Sequence, residues 1–325
     1  MEQINILLCT DKYYVMPCGI TIFSICLHNQ HNKLHFHLLV EGVSEEQKKE
    51  ISELIQSHQQ EVTFYDIDNT ILKDLPVNNR FRISIYYRLM MGKILPSAIK
   101  KILYMDSDVI VRGDLHEIWQ TELSKNSVIG AVLDQSCDDI RHYNRTELLP
   151  MSGYYNSGVL LVNLDVWRKR QIGEQCIHYI NQNPNKVLYP DQDALNVVTY
   201  KQWDAMSFRY NVQAYMYYCA KDILARNEYV SQMIKESENP LIIHYTEARK
   251  PWMEGCKHPF TNEYLKYKHL SPWKDYPLIV KRNVGKIDAA VAAIKKICRI
   301  KPTEEYSCYR EQQSSILQPY HNPTL

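Results

Sequence analysis

No run of 18 uncharged apolar residues occurs anywhere in the chain, so no membrane-spanning helix is expected. Glycine is scarce, 10 among 325 residues, and neither Gly-x-Gly-x-x-Gly nor a Walker sequence is present. A glycine-rich loop cradling phosphates is thereby excluded. Charge of one sign is also lacking: 38 Lys and Arg face 37 Asp and Glu, a formal net charge of +1. That balance gives no electrostatic case for nucleic acid as a partner. The nine cysteines are odd in number, run from Cys9 to Cys308 and form no Cys-x-x-Cys pair. A disulfide framework and a structural zinc site are disfavoured, and a reducing, cytoplasmic compartment fits best. The opening apolar run has no basic stretch before it and stops at Asp11 and Lys12, so no signal peptide is expected.

What is present is a 45% apolar composition, ample for a large core, arranged in short apolar runs alternating with helical patterns. Strands are expected at 4–9, 34–40 and 62–65, with helices at 18–28 and 44–57, a βαβ rhythm. Ser44-Glu-Glu-Gln47 reads as a capping box that starts the second helix. The pattern then predicts a helix over 82–91, strands beginning at Ile102, Val128 and Gly158, one helix over 164–181 anchored by Trp167, a helix opening near Asp191, and a strand at 241–244. The chain divides into a main domain, 1–275, and a tail, 276–325. Residues 279–301 hold seven Lys or Arg against one Asp288, with Ile287, Val291, Ile294 and Ile297 at helical spacing. A basic amphipathic helix there suits either an anionic membrane surface or packing on the domain.

The densest chemical signal is Lys101-Ile-Leu-Tyr-Met-Asp-Ser-Asp-Val-Ile-Val-Arg112. In extended backbone Asp106 and Asp108 point to one side and Ser107 to the other, so two hard oxygen ligands converge at a strand end. Such a pair suits Mg²⁺ or Mn²⁺ carrying a phosphate, although a solvated Asp-Ser turn is the ordinary alternative. Four further segments bear on it. Cys9-Thr-Asp-Lys-Tyr-Tyr14 sets Asp11 and Tyr14 after the first strand, an acceptor and a flat ring suited to a nucleobase. Tyr154-Tyr-Asn-Ser-Gly158 offers Asn156 to a sugar hydroxyl, with Gly158 allowing close approach. Asp191, Gln192 and Asp193 open a helix with more acceptors than a cap requires, Asp191 being the N-cap in the bland reading. Last, Ile242-Ile-His-Tyr-Thr-Glu-Ala-Arg-Lys-Pro-Trp252 delivers His244 as a possible third ligand and Lys250 as a point charge for a diphosphate.

Together, in this order, Cys9–Tyr14, Tyr86–Leu89, Leu103–Val111, Asn156–Leu164, Asp191–Asp193 and His244–Trp252 resemble glycosyltransferase family 8, the retaining group that includes bacterial lipopolysaccharide galactosyl- and glucosyltransferases and glycogenin. The resemblance spans residues 4 to 255. It implies an α/β chain of GT-A fold, with a Rossmann-like, mixed but mostly parallel central sheet flanked by helices, and a C-terminal helical extension. It further implies a UDP-glucose or UDP-galactose donor, a glycan or glycolipid acceptor, and Mn²⁺, with Mg²⁺ as substitute, on Asp106, Asp108 and His244. Asp11 and Tyr14 would contact the uridine, with Cys9, Thr10 and Ser107 in the same donor site. Lys250 would contact the diphosphate, and Arg88, Asn156, Asp191 and Gln192 the sugar or its anomeric region. Asp134 would lie near the acceptor. Gln192 and Asp191 are the catalytic candidates, yet an amide is a poor nucleophile, so same-face attack by the acceptor hydroxyl is preferred. One departure stands out: Glu247 occupies a position where the family usually has glycine. The expected role is a hexosyltransferase of surface polysaccharide or lipopolysaccharide synthesis, cytoplasmic or on the inner face of the membrane. The alternatives are a glycogenin-like self-glucosylating protein, a UDP-sugar binder impaired by Glu247, and a phosphatase with Asp106 as nucleophile.

Overall fold

The computed structural model describes residues 2–77, 82–137, 139–149, 153–217 and 228–280. The basic segment and tail beyond residue 280 lie outside the described residues, and with them the expected C-terminal helix. Apolar side chains on both faces make β1 (Ile4–Asp11) a central strand: Ile4, Ile6 and Leu8 enter one core cluster and Leu7 the other. Next come α1 (Val15–His28), β2 (Leu34–Glu41), α2 (Glu45–Ser57) and β3 (Glu61–Asp66). The capping box is formed as expected, Ser44 Oγ accepting from Gln47 N while the Gln47 side chain accepts from Ser44 N. A 3₁₀ helix, Ile83–Met90, leads into α3 (Met91–Ile94), β4 (Lys101–Met105), β5 (Val109–Val111), α4 (His116–Trp119) and β6 (Ile129–Leu133). The chain continues through α5 (Ile140–Thr146), β7 (Tyr155–Asn163), α6 (Leu164–Lys169), α7 (Ile172–Gln182), α8 (Pro190–Val198), β8 (Trp203–Ala205) and β9 (Val212–Gln213). It closes with α9 (Glu228–Ser237), β10 (Ile242–His244) and α10 (Thr261–Leu270).

Seven strands form one sheet in the order β3-β2-β1-β4-β7-β6-β8, and only β7 runs antiparallel to its neighbours. A second sheet, β5-β10-β9, stands beside it. The chain therefore changes sheets between Met105 and Val109, over Asp106-Ser107-Asp108. Among the described residues no helix is long and apolar enough to cross a membrane. Cys9, Cys18, Cys26, Cys176 and Cys256 are free thiols.

Two helical expectations are corrected. The stretch predicted as a helix over 82–91 is mostly 3₁₀, with Met91 N bonding to Arg88 O and the Arg88 Nε reaching back to Ile85 O. The helix predicted over 164–181 is two helices, α6 and α7, broken where Gln171 takes a left-handed φ of 52°. The left-handed position itself is not a glycine. It lets Gly173 lie on the 3₁₀ helix so closely that a Cβ there would sit 1.9 Å from Leu89 O. Gly173→Ala must push α7 off the element carrying Arg88, a cost of about 1–3 kcal/mol. A lower urea midpoint in Gly173→Ala is expected, and an unchanged midpoint would show that this contact is soft.

His37, on β2, is 1% exposed, its ring nitrogens 3.0 Å from Tyr65 Oη and 3.3 Å from Asn5 Oδ1. Burial, reinforced by His35, pushes its pKa down to about 3. The folded ring stays neutral where an unfolded one takes a proton, so stability is full above about pH 6.5 and is lost as pH falls toward 3. Urea titrations of His37→Gln should show a shallower acid slope in that window than the wild type.

Candidate active site

The two aspartates do not lie in extended backbone as expected, because β4 ends at Met105 and the next three residues turn into the second sheet. They converge through that turn instead. Asp106 N donates to Gly158 O at 2.8 Å, and Asp108 O accepts from Tyr245 N at 3.0 Å, so each aspartate is pinned to a different sheet. Ser107 does face away: its Oγ donates to Cys9 O, and its carbonyl accepts from Thr21 Oγ1.

Register supplies the third group. β10 pairs antiparallel with β5 so that His244 lies opposite Val109, the residue after Asp108. His244 Nε2 stands 3.2 Å from Asp108 Oδ1 and 3.7 Å from Asp106 Oδ2, and one ligand atom from each of the three lies within 4.8 Å of the others. Asp108 Oδ1 is buried without a hydrogen-bond partner, an arrangement that calls for a cation. Two carboxylate oxygens and an imidazole nitrogen fit Mn²⁺ and accommodate Mg²⁺. Burial by itself would raise the Asp108 pKa, but the Lys250 ammonium beside it overcomes that and holds the carboxyl below the usual range. Space is tight around this cluster: a Cβ on Gly158 would meet His244 Cε1 at 2.2 Å and Asp106 Oδ2 at 2.8 Å.

Arg88, 6% exposed, brackets the deeper wall. Its Nη2 is 2.7 Å from Asp106 Oδ1, its Nε 3.3 Å from Asp191 Oδ2, and its Nη1 donates to Ser157 O at 2.8 Å. Tyr104 Oη also donates to Asp106 Oδ1, at 2.6 Å, which leaves Oδ2 facing His244. Burial raises the pKa of Asp191, and Arg88 offsets only part of that rise. The N-cap of α8 is Tyr189, not Asp191, and Asp193 secures the turn by accepting from Leu188 N and Tyr189 N. Gln192 is held at both ends: Oε1 accepts from Ser157 N and Asn156 Nδ2, and Nε2 donates to Asp134 Oδ2 at 3.1 Å. Asp134 thus joins the Asn156–Gln192 cluster, and its other oxygen accepts from Ser136 N and Oγ.

At the end of β1, Asp11 Oδ1 accepts from Tyr13 N and Tyr14 N, and Oδ2 from Ser84 Oγ. Tyr14 packs edge-on to Trp252 at 5.7 Å, its pKa pushed up to about 12 by burial and then by Asp108. Tyr13 is the exposed ring, 60% accessible, with the Arg82 guanidinium 4.1 Å from its centroid. Thr10 is buried, and the Cys9 thiol is pushed far up by burial, which makes it inert. Lys250 Nζ bridges Asp108 Oδ2 at 2.7 Å and Tyr245 O at 2.5 Å. In the bend that follows β10, Thr246 Oγ1 accepts from Ala214 N, and Glu247 is half-buried. Sequence reasoning missed Asn211, whose Oδ1 is 2.9 Å from His244 Nδ1, and Tyr104, although strand alternation puts Tyr104 on the same side as Asp106.

The model of one protein family, Glycosyl transferase family 8, matches residues 5–256. Lipopolysaccharide 1,2-glucosyltransferase of Escherichia coli is 29% identical over 280 residues, covering 85% of this chain and 81% of that one. General stress protein A of Bacillus subtilis is 26% identical over 279 residues, covering 84% and 95%. Among solved structures, the galactosyltransferase LgtC in complex with donor and acceptor sugar analogs superposes with a TM-score of 0.74 at 23% identity, over 83% of this chain and 96% of that one. That likeness carries the fold: the seven-stranded, mostly parallel sheet flanked by helices is the GT-A architecture.

Gly158→Ala should weaken any divalent-cation binding at this cluster by about tenfold or more, because the added methyl displaces the His244 ring and Asp106 together. Calorimetry on the folded variant checks this, and wild-type affinity would disprove the crowding.

Proposed function

Because the chain belongs to glycosyl transferase family 8, we propose that it is a retaining hexosyltransferase, moving glucose or galactose from a UDP-sugar to a hydroxyl of a glycan acceptor. The observation that carries the reading is the meeting of Asp106, Asp108 and His244 beside Lys250. Mn²⁺ bound to those three side chains would supply Lewis-acid stabilisation of the leaving diphosphate. Lys250 adds a fixed positive charge on the same side, where negative charge grows as the anomeric bond to phosphate breaks. Asp11 and Tyr14 are assigned to the uridine end, and Arg88, Asn156, Asp191 and Gln192 to the sugar.

Gln192 Oε1 already accepts two hydrogen bonds, and its Nε2 is tied to Asp134, so this side chain suits orientation better than nucleophilic attack. Asp191 is committed to Arg88 and Ser157. Both facts support attack by the acceptor hydroxyl on the face the leaving group departs from, with a departing phosphate oxygen taking the proton. Asp106 Oδ1 is likewise occupied by Arg88 and Tyr104, which suits a ligand rather than a phosphatase nucleophile. The named activities of the lipopolysaccharide enzymes favour a surface glycan as acceptor. The basic composition of residues 279–301 supports work at an anionic membrane surface, on the cytoplasmic side.

Incubating the protein with a panel of UDP-sugars and Mn²⁺, with and without glycan acceptors, should give acceptor-dependent UDP release for one donor. Asp108→Ala should abolish metal-dependent UDP binding while leaving the thermal transition in place; transfer that survives this change sinks the metal assignment. Intact mass after UDP-glucose treatment should be unchanged, and a gain of hexose units would move the assignment to self-glucosylation.

A further inference from the structure

Asn211 lies between a short 3₁₀ helix, Phe208–Tyr210, and β9, with no exposed surface. Its Oδ1 stands 2.9 Å from His244 Nδ1, and its Nδ2 stands 2.9 Å from Asn156 Oδ1. Amides and imidazoles can be placed either way round, but here groups with no such freedom decide. The backbone N–H of Gly158 can only donate, and it points at the Asn156 side chain at 3.0 Å. The atom it meets must be Oδ1. Asn156 Nδ2 then faces Asp134 Oδ2 at 3.1 Å, as a donor should. With Asn156 presenting an acceptor, Asn211 must present Nδ2 to it and keep Oδ1 for His244. An amide oxygen only accepts, so the proton of the neutral imidazole sits on Nδ1. Nε2 is left as a bare lone pair facing Asp108 Oδ1 at 3.2 Å and Asp106 Oδ2 at 3.7 Å. Facing lone pairs repel each other and together attract a divalent cation.

We infer that Asn211 is a positioning residue for the metal site: it holds His244 in the Nδ1–H tautomer and fixes the ring plane, so that Nε2 is presented as a ligand. The inference rests on the metal reading above. The same hydrogen bonds run on through Asn156 to Gln192, so the ligand and the sugar-facing amides are oriented by one chain of contacts.

Nitrogen NMR of the imidazole rings in metal-free protein should show His244 protonated on Nδ1. Without any donor present, Asn211→Leu should bind Mn²⁺ about 10- to 100-fold more weakly than wild type. Asn211→Asp keeps an acceptor for the imidazole but loses the donor to Asn156 Oδ1, so it should bind Mn²⁺ more tightly than Asn211→Leu yet more weakly than wild type. A wild-type His244 protonated on Nε2 and not on Nδ1 overturns the inference whether or not the leucine variant folds, and so does wild-type Mn²⁺ affinity in folded Asn211→Leu. If the wild type carries the Nδ1 proton yet binds no Mn²⁺, the metal reading falls and the tautomer assignment stands.

Discussion

The site depends on the antiparallel pairing of β5 with β10. Three residue pairs, Val111–Ile242, Ile110–Ile243 and Val109–His244, fix the register, and all six side chains are buried. A slip of one residue would turn His244 to the opposite face of this small sheet and put an isoleucine or a tyrosine in its place. The apolar pattern of the two strands therefore specifies the chemistry as well as the packing, because a register that exposed Ile242 or Ile110 would lose buried apolar surface. On the other side Asp106 is tied to β7 by its backbone N–H, so the two aspartates inherit their spacing from two sheets at once.

Electrostatics build outward from that register. Arg88 is a buried cation held by two carboxylates and two backbone carbonyls, and burying any of these charges alone would be strongly unfavourable. Placed together they form a rigid partition between the Asp106–His244 side and the α8 side. The guanidinium also lies over the Tyr104 ring, 4.5 Å from its centroid, which leaves it little room to swing. Its flat fork fits these partners in a way a lysine could not.

Legibility from sequence followed locality. Asp106, Asp108, His244 and Lys250 could be picked out because each ends or follows an apolar run, and the capping box at Ser44 needed only four residues to be read. Asn211 could not, since Arg209-Tyr-Asn-Val-Gln213 has no mark of function and acquires one only when β9 is laid parallel to β10, Ile243 beside Val212. The turn at Gln171 was equally silent: nothing in Arg168-Lys-Arg-Gln171 is a helix breaker, and the left-handed backbone there answers to the approach of Gly173 to Leu89. The strand reading of Asp106–Asp108 failed for a related reason. An apolar run that continues past the aspartates looks like one strand, whereas it is two strands in different sheets, and only the tertiary pairing tells them apart.

The match to the family stops at residue 256, yet the chain just beyond it is built into the core. Phe260, Tyr264, Tyr267 and Trp273 are all buried, and the Trp273 ring lies so directly on α1 that a Cβ on Gly19 would come within 2.0 Å of it. Ile279 continues the contact, bonding through its backbone to Trp252 and Glu254 on the loop after β10. The segment that carries Lys250 is thus braced from behind by residues the shared family pattern does not contain. Removing this terminal stretch would strip away the ring that fills the space over Gly19, so the last described part of the chain and the interior helix that follows the first strand are packing partners despite their distance in sequence.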